Sequence, residues 1–313
     1  MKILVVSGFL GAGKTTFIKE LARRTHRDFA IMENEYGEVG VDGPLLDSDA
    51  AEKPSIWELT EGCICCSMKS DFAASVLTIA NTVDPEYLIV EPTGVGMLSQ
   101  VMENLSQIAY DRITLLEPIT LVDGGSFDRY LTEYPDIYRD QIAAAKTVLL
   151  TKMERADADT LVQLGQKLRA VSPSAQVQLH HYSENPDSWW EALLTRPADP
   201  AQAAAVQAAA PVLENLGLTD LSLPSEQHLV LFLQAVVAGV FGEICRAKGY
   251  LQAGDAWLHF EVTDRTYCIT GISPMADSRG VFIGKDLRRS ALREVLQQSL
   301  RVPTLRGRRV RAS

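Results

Sequence analysis

The stretch Ile3-Leu4-Val5-Val6-Ser7-Gly8-Phe9-Leu10-Gly11-Ala12-Gly13-Lys14-Thr15-Thr16 constrains this chain more than any other. An apolar run, a glycine-rich turn, Lys-Thr, and then Phe17, Ile18 and Leu21 at helical spacing predict strand, loop and helix in succession. Glycines let successive backbone N–H groups converge on phosphate oxygens, so the segment reads as a phosphate-binding loop. Gly8, Gly11, Ala12, Gly13 and Thr16 form its cradle, Lys14 reaches the β- and γ-phosphates, and the Thr15 hydroxyl ligates Mg²⁺. By itself this supports a nucleoside triphosphate with Mg²⁺ and no more.

At 313 residues the chain exceeds the length one core usually serves, so two domains are expected. With 46% hydrophobic and 22% charged residues there is apolar material for full cores. The net charge of −10 argues against broad nucleic-acid binding. Five cysteines, three of them within Cys63-Ile64-Cys65-Cys66, do not suit a disulfide framework and point to a reducing compartment, hence a cytoplasmic protein. The apolar start runs into the phosphate loop with no signal-peptide cleavage site between them. Residues 229–244 are interrupted by Gln234 and Glu243 and fall short of the roughly 18 residues a bilayer span needs, so no membrane partner is expected.

Further apolar runs follow at residues 29–32, 56–59, 87–90, 119–122 and 147–150, with helical stretches between them. This alternation predicts an α/β fold with a doubly wound, mostly parallel sheet over residues 1–195. Glu91, closing the run 87–90 ahead of Pro92-Thr93-Gly94, has the position of a carboxylate that supports Mg²⁺ or orients water. Residues 196–224, with Pro197, Pro200 and Pro211 flanking an Ala/Gln tract, read as linker. A smaller α+β domain is expected over 225–300, with a helix near 236–248, strands at 257–262, 267–272 and 281–283, and a helix over 287–300. Residues 301–313 form an arginine-rich tail.

Cys63 and Cys65 lie two apart, so in an extended segment both thiols face one way and can bind one soft metal ion. Thiolates suit Zn²⁺, Cu(I) or Co²⁺, and Mg²⁺ would ignore them. Two sulfurs do not complete a tetrahedral site. Cys66, and Glu33 and Glu38 in the acidic loop that ends a neighbouring strand, are candidates for the rest.

The phosphate loop, Glu33-Asn34-Glu35-Tyr36-Gly37-Glu38-Val39, Gly62-Cys63-Ile64-Cys65-Cys66 and Glu91-Pro92-Thr93-Gly94 together resemble the CobW-like GTPases, relatives of the nickel-insertion GTPases of urease and hydrogenase. The resemblance extends to Arg246-Ala247-Lys248-Gly249-Tyr250 and Val281-Phe282-Ile283-Gly284 in the C-terminal half. It implies a GTP-hydrolysing metal chaperone or metal-insertion factor, slow unaided, that holds Zn²⁺ or Co²⁺ at the cysteine motif with Glu33 and Glu38, Cys65 foremost. GTP, the transition metal and a client metalloprotein are its implied partners, a homodimer being one arrangement open to it. The resemblance also implies base recognition by Thr151-Lys152-x-Asp, but Glu154 stands in the Asp position, with Asp157 as an alternative acceptor. The chain has only five histidines and no His-rich run between its domains. Rival readings are a nucleotide-gated conformational partner of a corrinoid or metalloenzyme, and a small-molecule kinase, which would prefer ATP.

Overall fold

The computed structural model describes residues 1–34, 56–61, 69–109, 112–199 and 213–297. The chain divides into two compact units, Met1–Leu213 and Glu214–Ser313. No helix among the described residues is long and apolar enough to cross a membrane.

The first unit is built on a parallel sheet. Its strands are β1 (Lys2–Gly8), β2 (Phe29–Asn34), β3 (Ile56–Glu61), β4 (Tyr87–Glu91), β5 (Thr114–Leu115), β6 (Ile119–Asp123), β7 (Thr147–Thr151) and β8 (Gln176–Gln178). They lie in the order β3-β2-β4-β1-β6-β7-β8, with β5 against β1, and every pairing is parallel. The central strands are covered on both faces, which is why they read as unbroken apolar runs: Ile3 to Val6 and Leu88 to Val90 are 0 to 1% exposed. From β1 the chain winds outward to β2, β3 and β4 on one side and to β6, β7 and β8 on the other. The reversal falls beside β1, and ligands of open α/β sheets bind at the strand carboxyl ends at such a point.

Helices α1 (Lys14–Thr25), α2 (Lys69–Thr82), α3 (Leu98–Ser106), α4 (Phe127–Glu133), α5 (Pro135–Ala143), α6 (Ala158–Val171) and α7 (Asp187–Leu193) belong to this unit. Phe17, Ile18, Leu21 and Ala22 form the buried stripe of α1. The Phe17 ring stacks on Trp190 at 5.3 Å and meets Tyr182 edge-on at 5.1 Å, fixing the helix that starts at the phosphate loop.

The second unit is a mostly antiparallel sheet of β9 (Glu214–Thr219), β10 (Ser222–Leu223), β11 (Glu243–Ala253), β12 (Ala256–Thr263), β13 (Thr266–Gly271) and β14 (Arg279–Lys285), in the order β13-β12-β11-β14-β9. The short β10 pairs with β11 in parallel. Helices α8 (Glu226–Val237) and α9 (Arg289–Leu296) contribute Leu229, Phe232, Leu233, Val236, Leu292 and Leu296 to its core.

Two expectations are corrected here. Residues 236–248 are not a helix: α8 ends at Val237, and β11 begins at Glu243. Gly239 and Gly242, at φ +78° and +105°, break the apolar run, and Gly242 approaches the Asp286 carbonyl too closely for any side chain. From there Ala247, Leu251 and Ala253 face the core at strand spacing. Residues 214–219, inside the stretch read as linker, form β9, because Leu216 and Leu218 alternate into the same core while the strand pairs with β14. The Ala/Gln tract at 201–210 and the basic tail at 301–313 lie outside the described residues.

Candidate functional site

The loop between β1 and α1 is shaped by left-handed glycines. Gly11 and Gly13 have φ of +69° and +96°. A Cβ on Gly8 would lie 2.6 Å from the Leu121 carbonyl oxygen of β6, so only glycine lets β1 run so close to its neighbour. Gly13 is also the N-cap of α1 and gives it no side-chain hydrogen bond. The first N–H groups of the helix therefore face the loop, the arrangement that attracts an anion.

Lys14 is 6% exposed; its Nζ donates to the Gly8 carbonyl at 3.1 Å and lies 3.9 Å from Glu91 Oε1. Thr15 Oγ1 is 3.4 Å from both Glu91 carboxylate oxygens. Thr15 and Thr16 are exposed at the start of α1, and Ala12 is buried. Glu91 comes to Thr15 because β4 lies directly beside β1.

The segment after Glu91 is packed on both sides. Residues 92–99 are all buried. A Cβ on Gly94 would stand 2.8 Å from the Leu10 backbone nitrogen, so this loop lies backbone to backbone against the phosphate loop. From behind, Gln141 Nε2 donates to the carbonyls of Gly94 at 3.1 Å and Gly96 at 2.8 Å, while Thr120 Oγ1 donates to the Gln141 carbonyl at 2.7 Å. Next to it the Asp140 carboxylate accepts from Ser99 N–H at 3.1 Å, and burial pushes its pKa up against that bond. Phe9 of the phosphate loop packs on Tyr130 at 4.4 Å, Tyr134 at 5.1 Å and Tyr138 at 5.8 Å. Neither Gln141 nor Asp140 is announced by any local pattern in the sequence.

Thr151 ends β7, and Lys152 and Glu154 follow it at the same sheet edge. Thr151 Oγ1 donates to the Ala12 carbonyl at 2.9 Å and lies 3.3 Å from that of Val122, tying this segment to the phosphate loop. Lys152 adopts φ +59° and its Nζ donates to Asp123 Oδ2, at the end of β6, at 3.0 Å. Glu154 is 58% exposed and faces His181 Nε2 at 3.7 Å. Asp157, the alternative acceptor, is engaged elsewhere: its carboxylate caps α6 by accepting from Thr160 N–H at 2.8 Å, which holds it below the usual carboxylate range. His181 lies in the loop after β8 and was not singled out by the sequence, where it has no recognisable partner.

The phosphate-loop residues, Glu91 and the Thr151 to Glu154 segment thus meet at one edge of the sheet. Cys63, Cys65, Cys66 and Glu38 lie outside the described residues. Glu33, one residue before the end of β2, lies beside Glu91 of β4 in the strand register. Among the described residues no group of three or more His, Cys, Asp and Glu is placed to hold a metal ion.

The family model described as CobW/HypB/UreG, nucleotide-binding domain, matches residues 2–178, and the cobalamin synthesis protein cobW C-terminal domain matches residues 221–300. Among characterised proteins, the zinc chaperone YeiR of Escherichia coli K12 is 35% identical over 168 residues, covering 50% of this chain and 48% of that one. The zinc chaperone YjiA of the same organism is 31% identical over 180 residues, 55% of each chain. The chain spans about half the length of the curated relatives it matches. A crystal structure of Zn(II)-bound YjiA GTPase from E. coli aligns over 94% of this chain and 97% of that chain, with 22% identity and a TM-score of 0.44.

Proposed function

This chain belongs to the CobW/HypB/UreG family of nucleotide-binding proteins, and on that premise we propose that it is a GTP-hydrolysing metal chaperone or metalloenzyme-assembly factor. The observation that carries the nucleotide half is the convergence of Lys14, Thr15 and Glu91 beneath the glycine loop. The relatives named zinc chaperones support zinc as the cargo, with Co²⁺ second. Residues 1–195 are the GTPase body in this reading, and residues 225–300 belong to the C-terminal domain.

The hydroxyl of Thr15 and the carboxylate of Glu91 are hard oxygen donors pointing at each other, a set that fits Mg²⁺. Bound there, Mg²⁺ would supply positive charge against the phosphate oxygens. The loop N–H groups and Lys14 stabilise charge that develops on the transferred phosphoryl group, and Glu91 supports the metal or orients the attacking water. Thr151, Lys152 and Glu154 take the guanine base. In this reading cargo metal is held by Cys63, Cys65 and Cys66 with Glu33 and Glu38; in the sequence the cysteines stand between the acidic loop and the strand ending in Glu91, so loops that sense the γ-phosphate could also carry metal ligands.

The test measures both halves on one preparation. GTP should compete off ATP in a binding titration, Cys65→Ala should lose most of the bound zinc by elemental analysis, and zinc loading should change the rate of phosphate release. The coupling is wrong if hydrolysis is the same in zinc and in EDTA-treated Mg²⁺ buffer and Cys65→Ala binds zinc as the parent does.

A further inference from the structure

Glutamate at position 154 raises a physical problem that the loop after β8 answers. A carboxylate that accepts from guanine N1–H and N2–H must be held still, and glutamate has one more rotatable bond than aspartate. Exposed at 58%, Glu154 has little packing to fix it.

His181 is held from three directions. It opens the 3₁₀ turn Tyr182–Glu184, where its Nδ1 accepts from Ser183 N–H at 3.3 Å and lies 2.7 Å from Ser183 Oγ. Its ring packs on Tyr182 at a centroid distance of 4.2 Å. Tyr182 is itself buried against Phe17 and Trp190, the rings that anchor the phosphate-loop helix. With Nδ1 accepting from a backbone N–H, we assign the proton of the neutral imidazole to Nε2, the nitrogen that faces Glu154 Oε1 at 3.7 Å. Two other charged groups of this edge are engaged elsewhere, Lys152 with Asp123 and Asp157 with the start of α6. At 3.7 Å the pair stands just beyond hydrogen-bond length, and a small turn of the exposed Glu154 side chain closes it. A carboxylate has about four lone-pair sites, so Glu154 can then take one N–H from His181 and still accept both from guanine.

We propose that His181 is a positioning residue for base selectivity: it orients the Glu154 carboxylate toward the guanine edge, so that a Glu–His pair does the work of a single aspartate. This rests on the guanine reading given above, and the experiment separates the two.

The measurement is displacement of a fluorescent nucleotide from the full chain by GDP, IDP and ADP, in the parent and in variants. The parent should prefer GDP over IDP over ADP. His181→Phe keeps a ring on Tyr182 but removes the donor. It should lower the GDP-to-ADP affinity ratio by about tenfold, the range of a hydrogen bond to a charged group, with ADP affinity unchanged within about twofold. His181→Gln, whose amide can donate from the Nε2 position, should restore most of the ratio. In a Glu154→Asp background His181→Phe should have little effect, because the shorter carboxylate does not depend on the imidazole. An unchanged ratio in His181→Phe, or equal weakening of GDP and ADP, overturns the proposal and leaves the guanine reading standing. A parent that binds GDP and ADP alike overturns the guanine reading, and the role of His181 with it, before any variant is made.

Discussion

At the phosphate end of the site Lys14 is 6% exposed, Gly8 and Gly94 leave no room for a methyl group, and Gln141 fixes the following loop with two hydrogen bonds. At the base end Lys152 and Glu154 are 54% and 58% exposed, and each faces one polar side chain, Asp123 and His181. The two ends share a sheet edge but not a manner of construction. On the proposed reading, backbone geometry fixed by packing would grip the part common to all nucleotides, while replaceable side chains would read the part that differs. Substitutions at the first end should therefore cost binding or folding outright, and those at the second should shift preference while leaving both largely intact.

The strongest challenge to this contrast is Lys14→Ala, which removes the buried cation and should reduce GTP hydrolysis about a hundredfold or more, read as phosphate release. Survival of activity would mean that the loop does not hold the reacting phosphates. Gly94→Ala places a methyl group 2.8 Å from the Leu10 nitrogen and forces the two loops apart. A loss of about 2 kcal/mol in urea unfolding is expected, together with slower turnover. Asp140→Asn sharpens the picture in the opposite direction. The folded state raises the Asp140 pKa, so its contribution to stability declines as pH climbs from the ordinary aspartate range through the raised value. Asn keeps an acceptor for Ser99 without the buried charge. It should be more stable than the parent at neutral pH and gain nothing at acid pH, as melting temperatures across pH would register. The smallest effect belongs to the base end: Glu154→Asp should change the GDP-to-ADP affinity ratio by less than about threefold, since both side chains offer the same two oxygens.

Sequence patterns were informative where function is local. The phosphate loop, the strand carrying it and Glu91 at the end of β4 all follow from contiguous residues, because buried parallel strands are continuous apolar runs and phosphate loops need glycine. What stayed hidden is long-range or masked by composition. Gln141 acts on Gly94, 47 positions away, and nothing about either residue names the other. His181 likewise gains meaning only once β8 is placed beside β7. In the second unit, the apolar run from α8 toward β11 reads as continuous in the sequence, and only the left-handed backbone of Gly239 and Gly242 divides it. β9 was obscured by the alanine-rich stretch preceding it, although Leu216 and Leu218 already had strand spacing.

The hydrogen bond from Thr151 to the Ala12 carbonyl has one more consequence. It joins the loop after β1 to the end of β7 at a point where both are buried. On the proposed reading, the separation between the phosphate and base ends is therefore built into the fold and does not depend on a bound nucleotide.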